Sequence, residues 1–421
     1  MKVTRIIINL LSFLLILILQ NYLIVHAIYT SLKQYLKVSE RELPDLLANE
    51  EILIKGNRLL TPLLDESSFG GSYIDIKANK ININIVDSSK KNDIMSNPVM
   101  EEYLNLLSFK KISNSLDKLN AALYELHNMA KRYNATNLTI SNEYEFNKIV
   151  LYLNVNDYEK NKAFIDDAEK LYPNLLHIVI KAKNKISFNL SSSSFALKTR
   201  DIKNVIFGGD GLVTESGDQC TAGFWMRQDN FTFLVTAGHC ARDATHTPDG
   251  NVRFYYYPSP PYLVGEMTYY EYEGVDRGFI LVNNSDILVV PNIKNVGNDT
   301  YRELFIIGTV DIDTVGSHIC IAGANSHVSC GKVTAINMVA DIRGFGKFGG
   351  VINTDIVCQD GDSGGPAFQF KDRFPRYVYL AGILIAGEGN LSIIEPLNKL
   401  LDDDMIPVRY NPNLFDFDTP P

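Results

Sequence analysis

The chain has 421 residues, 46% of them hydrophobic and 21% charged, with a formal net charge of -9. This is the composition of a folded protein of two or three domains, not of a disordered polymer. The acidic balance argues against a general nucleic-acid binder, which needs basic surface.

The chain opens MKVTRIIINLLSFLLILILQNYLIVHAIY, with Lys2 and Arg5 ahead of an apolar run that ends at Val25-His26-Ala27. A short positive region, an apolar stretch and a small-residue cleavage pattern read as a secretory signal over residues 1–27, cut after Ala27. An uncleaved anchor is the alternative, because the run approaches membrane-spanning length. Gln20 and Asn21 interrupt it, so no stable membrane anchor is expected.

Residues 28 to about 204 hold no cysteine and show mixed patterning. DKLNAALYELHNMAKR (117–132) places Leu119, Ala122, Leu123, Leu126, Met129 and Ala130 on one helical stripe. KIVLYLNV (148–155) reads as a strand, YEKNKAFIDDAEKLY (158–172) as a helix stopped by Pro173, and NLLHIVIKA (174–182) as a second strand. Such a strand–helix–strand unit makes this an α+β region rather than a linker. FNLSSSSFALKTRD (188–201) then has linker composition, exposed and easily cut, and the boundary falls near Val205.

After residue 206 helical periodicity nearly vanishes. Short apolar runs such as NFTFLVTAG, RGFILVNN, RELFIIGTV and YVYLAGILIAG alternate with Gly, Asn and Asp turns. Many short strands with regular turn signals mean an all-β barrel or sandwich. Only LNKLL near the end looks helical.

All five cysteines, Cys220, Cys240, Cys320, Cys330 and Cys358, lie in this second half. In a secreted chain most should pair, and five leaves one over. Their spacings match no zinc site, and nothing calls for a metal or a cofactor; FGGDG (207–211) opens no helix and so is no nucleotide loop. Asn134, Asn137, Asn230 and Asn390 head glycosylation sequons, which an Asn-rich chain also produces by chance.

TAGHC puts His239 at the end of an apolar strand beside Cys240. A Cys220–Cys240 disulfide would pin the loop that holds the imidazole. Asp276, in GVDRGFILV, stands before an apolar run, where a buried carboxylate needs a partner such as an imidazole N–H. In GDSGG, Gly361 lets the backbone turn so that its N–H and that of Ser363 converge, an arrangement that stabilises an oxyanion. Ser363 would attack, His239 would carry the proton and Asp276 would orient the imidazole. The chain order His, Asp, Ser is that of chymotrypsin, not of subtilisin or the α/β-hydrolases. A lipase or esterase would need a GxSxG elbow, which Ser363 lacks.

TAGHC, VDRGFI and GDSGGP together resemble the three signatures of chymotrypsin-like serine proteases. The resemblance implies a double β-barrel with the site in the cleft between barrels, acting on protein or peptide substrates. IFGGDGLVTESGDQCTAGFWMR resembles the mature start of the streptogrisin and alpha-lytic protease group. GSHICIAGANSHVSCGKVTAIN (316–337) resembles that group's second disulfide hairpin, which implies Cys320–Cys330. FGGSYIDIKANKININIVD (69–87) and the strand–helix–strand segment resemble its long pro-region. On this reading residues 28–205 are an α+β folding assistant and inhibitor, acting on the protease in cis or trans. Residues 206–421 are then the protease. An independent binding domain is the alternative for the first part, and a non-catalytic binding homologue the alternative for the whole.

Departures from the family pattern bear on the pocket. Cys358 matches the first cysteine of a third disulfide whose partner is missing, so its thiol should be free or paired between chains. ILIAG (383–387) matches the strand that pairs with substrate, with Ile385, Ala386 and Gly387 as binding positions; Ile385 stands where the family has a serine supporting the aspartate. Ala386, Gly387 and Gly389 suggest an open, apolar pocket wall. Ile321 replaces the arginine that would pair with Asp362. Ile206-Phe207-Gly208-Gly209 resembles the mature start of animal trypsins, so an amine freed before Ile206 is the expected partner of Asp362.

Overall fold

The computed structural model describes residues 30–39, 41–181, 204–257, 261–296, 302–342, 346–370, 376–387 and 391–411. The signal expected over 1–27, the serine-rich linker expected over 188–201, Gly389, Asn390 and the last ten residues lie outside them. Among the described residues no helix is long and apolar enough to cross a membrane.

The N-terminal region starts with two helices, α1 (Thr30–Leu36) and α2 (Leu43–Leu60). Pro44 sits in the first turn of α2, where its missing N–H costs nothing. Strands β1 (Phe69–Asp75) and β2 (Lys80–Ile85) form an antiparallel hairpin, and β3 (Leu107–Lys111) joins β2 in parallel. Helix α3 (Leu116–Arg132) is capped by the Ser115 hydroxyl, which accepts the Lys118 N–H, and buries Leu119, Ala122, Leu126, Met129 and Ala130. Strands β4 (Leu138–Glu143) and β5 (Lys148–Asn154) pair antiparallel; α4 (Val155–Leu171) then crosses to β6 (Leu176–Lys181), parallel to β5. The expected helix over 158–172 thus begins earlier, because the Asn154 side chain accepts the Asn156 N–H and caps it there.

Thirteen of the following strands are built into two barrel-like sheets. The first uses β8 (Gly211–Thr214), β9 (Gln219–Thr221), β10 (Phe224–Gln228), β11 (Phe231–Thr236), β12 (Val252–Tyr257), β13 (Leu263–Glu273) and β14 (Val275–Leu281), after a short β7 (Asn204–Val205). Neighbours run β10-β11-β14-β13-β12-β8-β9. Since β9 continues into β10 through Ala222-Gly223, the ladder closes on itself. The β7 segment pairs in parallel with β15 (Ile287–Leu288).

The second barrel follows β16 (Asn292–Lys294) and β17 (Glu303–Thr309). It consists of β18 (His318–Gly323), β19 (His327–Ile342), β20 (Gly346–Thr354), β21 (Pro366–Phe370), β22 (Tyr377–Gly387) and β23 (Ser392–Pro396). The pairs β18·β19, β19·β20, β20·β23, β23·β22, β22·β21 and β21·β18 complete a ring. A one-turn helix, α5 (Leu397–Leu400), and β24 (Ile406–Pro407) end the described chain, with β24 returning to β10 of the first barrel. The all-β second half expected from the strand pattern, and the double barrel implied by the resemblance, are therefore present.

The N-terminal region is built onto the second barrel. Ile140, Thr139 and Leu138 of β4 pair with Val339, Ala340 and Asp341 of β19, so β4, β5 and β6 extend that sheet. Leu32, Leu36, Leu43 and Leu47 share one core cluster with Val328, Cys320, Cys330 and residues of both barrels.

Candidate active site

Three segments meet between the barrels: the turn after β11, the start of β14 and the loop before β21. His239 lies in a short helical turn, Gly238–Ala241. A side chain at Gly238 would come within 2.0 Å of the Glu271 carbonyl and 2.4 Å of the Arg277 carbonyl. Only glycine lets this turn press against the β13–β14 hairpin. Asp276 is the second residue of β14 rather than a residue ahead of the strand, and it is fully buried.

Both Asp276 oxygens face His239. Oδ1 accepts the His239 backbone N–H at 3.0 Å, and Oδ2 lies 2.6 Å from Nδ1. An ionised carboxylate accepts only, so Nδ1 carries the proton and Nε2 is left as the basic nitrogen. The pair is nearly dry, with the Asp276 side chain 1% and the His239 side chain 10% exposed, which strengthens their attraction.

Ser363 is tied to this pair through backbone. Its carbonyl accepts the Thr221 N–H at 2.8 Å. Thr221 follows Cys220, which is bonded to Cys240, the neighbour of His239. Next to the serine, Gly364 has φ +89°, and a side chain there would meet Thr236 Oγ1 at 2.0 Å and Ala237 N at 2.9 Å. The serine loop thus lies flat against the end of β11, three residues before His239. Gly361 takes φ +92°, with its carbonyl held by the Thr221 hydroxyl at 2.8 Å. Among the described residues, neither the Gly361 nor the Ser363 N–H has an acceptor.

Asp362 differs from the expectation that it awaits a freed amine. It is fully buried, and it accepts three backbone N–H groups, from Gln359 at 2.7 Å, Asn325 at 2.8 Å and Ser326 at 3.0 Å. Three such bonds satisfy a carboxylate in the uncut chain. Ile206 is buried elsewhere, its carbonyl accepting the Trp225 indole N–H at 2.9 Å.

The β22 strand offers backbone at Ile385, not a side chain. The register with β23 shifts between Leu384 and Ala386, which makes Ile385 the extra residue of a bulge. Its side chain is 1% exposed and packs in the shared core. Ala386 is half-buried and Gly387 exposed. Cys358 has no disulfide partner. Its sulfur lies 2.1 Å from where a Gly387 side chain would begin, so the thiol fills that wall. Burial pushes this thiol up to about 12.

The bonds Cys220–Cys240 and Cys320–Cys330 are both present. An imidazole nitrogen of His239 and the Cys220 and Cys240 sulfurs lie within 4.8 Å of one another. With the sulfurs joined to each other, neither is a thiolate available to a metal.

One contact went unread in the sequence. Glu395 is fully buried, and its Oε2 accepts the Asp276 N–H at 3.1 Å. Its Oε1 is 2.9 Å from Lys399 Nζ. The available signal was an acid inside the apolar run SIIEPL with a lysine four residues on. Burial raises the Glu395 carboxyl above the usual range, and Lys399 opposes that rise.

No protein-family model matches the chain. It is 27% identical over 166 residues to serine protease 2 of Streptomyces fradiae, covering 39% of this chain and 87% of that protein. It is 24% identical over 188 residues to streptogrisin-A of Streptomyces griseus, covering 44% of this chain and 56% of that one. The solved structure of Thermobifida fusca protease A aligns over 49% of this chain and all of its own, with 24% identity and a TM-score of 0.40.

Proposed function

We propose, starting from the chain's place among the chymotrypsin-like serine proteases on their streptogrisin branch, that it is a secreted serine endopeptidase made as a zymogen. The observation that carries this reading is the buried His239–Asp276 pair, closed by two hydrogen bonds and left with Nε2 as the base. Ser363 Oγ attacks the scissile carbonyl and its proton passes to His239 Nε2. The carbonyl oxygen becomes an oxyanion that the Gly361 and Ser363 N–H groups stabilise. Collapse expels the amine, which takes the proton from His239 and leaves an acyl-serine. Water, deprotonated by the same imidazole, then releases the carboxylate product.

Residues 28–205 act as pro-region and 206–421 as protease. Two features support this: β4 adds to the β19 edge, and leucines of α1 and α2 complete the core beneath the Cys320–Cys330 hairpin. A double barrel of non-local strand pairs folds slowly. An attached region that supplies a sheet extension and core leucines lowers that barrier, and its removal leaves a product held by its unfolding rate. The open Ala386–Gly387 wall suits apolar or aromatic side chains. Peptidyl anilides that differ only in the residue before the bond test all of this. Cleavage by the processed chain, fastest after an apolar residue and abolished by Ser363→Ala, is expected; fastest cleavage after arginine removes the pocket assignment.

A further inference from the structure

We infer that Glu395, paired with Lys399, is the positioning residue that seats Asp276. The inference rests on the protease reading of His239, Asp276 and Ser363. Asp276 has both carboxylate oxygens committed to His239, so its own placement depends on its backbone. Its N–H points to Glu395 Oε2 at 3.1 Å, from a strand of the other barrel. A carboxylate is a stronger acceptor than a carbonyl, and a wholly buried one needs a counter-charge.

Lys399 supplies that charge and extends the clasp. Its ammonium lies 2.9 Å from Glu395 Oε1. It also donates to the Gly349 carbonyl on β20 and lies 3.5 Å from the Gly274 carbonyl. Gly274, at φ +85°, is the tip of the β13–β14 hairpin, two residues before Asp276, and it bridges to Phe348 of β20. The ion pair therefore grips the aspartate-bearing hairpin of the first barrel from β20, β23 and α5 of the second. The lysine stem runs within 3.9 Å of where a Gly350 side chain would begin, and Gly350 itself takes φ +71°, so the strand is shaped to admit it.

The test compares wild type, Glu395→Gln and Glu395→Leu, each expressed as the full chain, processed and active-site titrated. Leucine keeps most of the volume and loses the acceptor; glutamine keeps a carbonyl oxygen for the Asp276 N–H. Misplacing a catalytic group by fractions of an ångström costs rate rather than binding, so Glu395→Leu should lower kcat by about 10- to 100-fold, with KM changed by less than about twofold. Glu395→Gln should recover kcat to within about fivefold of wild type. Equal kcat in the two variants, or a loss confined to KM, overturns the inference. Should Glu395→Leu fail to mature, the same pair is placed in the unprocessed Ser363→Ala chain and the low-field His239 Nδ1 proton resonance is recorded. The resonance should persist with glutamine and shift or vanish with leucine; an unchanged resonance with leucine overturns the inference. A wild-type chain that cleaves no peptide would instead defeat the protease reading, a result the resonance does not depend on.

Discussion

Glu50 on α2 takes both hydrogen-bond donors that His318 on β18 can offer it, the backbone N–H at 2.7 Å and the ring Nδ1 at 2.5 Å. The tautomer follows from the other side of the ring, where Nε2 accepts the Phe370 N–H at 3.0 Å. Both residues are 2% exposed. Removing Glu50 leaves two buried N–H donors of a neutral His318 unsatisfied, at a cost of about 1–3 kcal/mol each. Glu50→Ala should therefore loosen the N-terminal region from the barrels by about 30-fold or more. The measurement is the concentration at which the two pieces of a Ser363→Ala chain, cut between residues 182 and 203, separate on a sizing column.

That pair also marks what a sequence reader can and cannot see. Element types were legible where periodicity was strong, as in α3 and the β5–α4–β6 unit, because local burial dictates them. His239, Asp276 and Ser363 were legible because each stands in a short signature whose glycines have a local steric reason. Glu50 with His318, Tyr35 with Asp355 at 2.8 Å and Glu395 with Asp276 were not. Each joins residues more than a hundred positions apart, and nothing in either local pattern names the other. The partners of Asp362 in the uncut chain were not legible for a related reason: three backbone amides leave no trace in side-chain identity.

Asp276→Asn should lower kcat by about 10⁴-fold with little change in KM. Both oxygens of the carboxylate accept from His239, one from the backbone and one from Nδ1. An amide must turn its NH₂ toward one of these donors. Whichever way it flips, it disturbs the turn or favours the wrong tautomer. Steady-state kinetics on a peptidyl anilide, with wild type as reference, check the split between kcat and KM.

Gly364→Ala should slow acylation by more than about 100-fold. The added carbon falls 2.0 Å from Thr236 Oγ1 and 2.6 Å from the Thr221 carbonyl, at a φ of +89° that L residues rarely adopt. The loop must back away and carry Ser363 with it. The rate of the first, burst phase of ester hydrolysis is the readout.

The Cys358 thiol should resist alkylation in the folded protein. Burial pushes it up to about 12, and the thiolate is the reacting form. At pH 8 its thiolate fraction is on the order of 10⁻⁴, and reactivity should climb as pH rises toward that value. Iodoacetamide at pH 8 should leave the native protein unmodified and modify Cys358 after denaturation without reductant. Rapid labelling of the native form would show that the wall formed with Gly387 opens.

The account stands most directly on an activated Ser363 that is released by processing. A biotinylated fluorophosphonate should be added to secreted chain expressed from the full sequence, beside Ser363→Ala. Labelling of a form near the size of residues 206–421, mapped by mass spectrometry to Ser363 and absent in the control, is the expected result. No labelling of a folded and processed sample, or equal labelling of the Ser363→Ala control, would contradict the account.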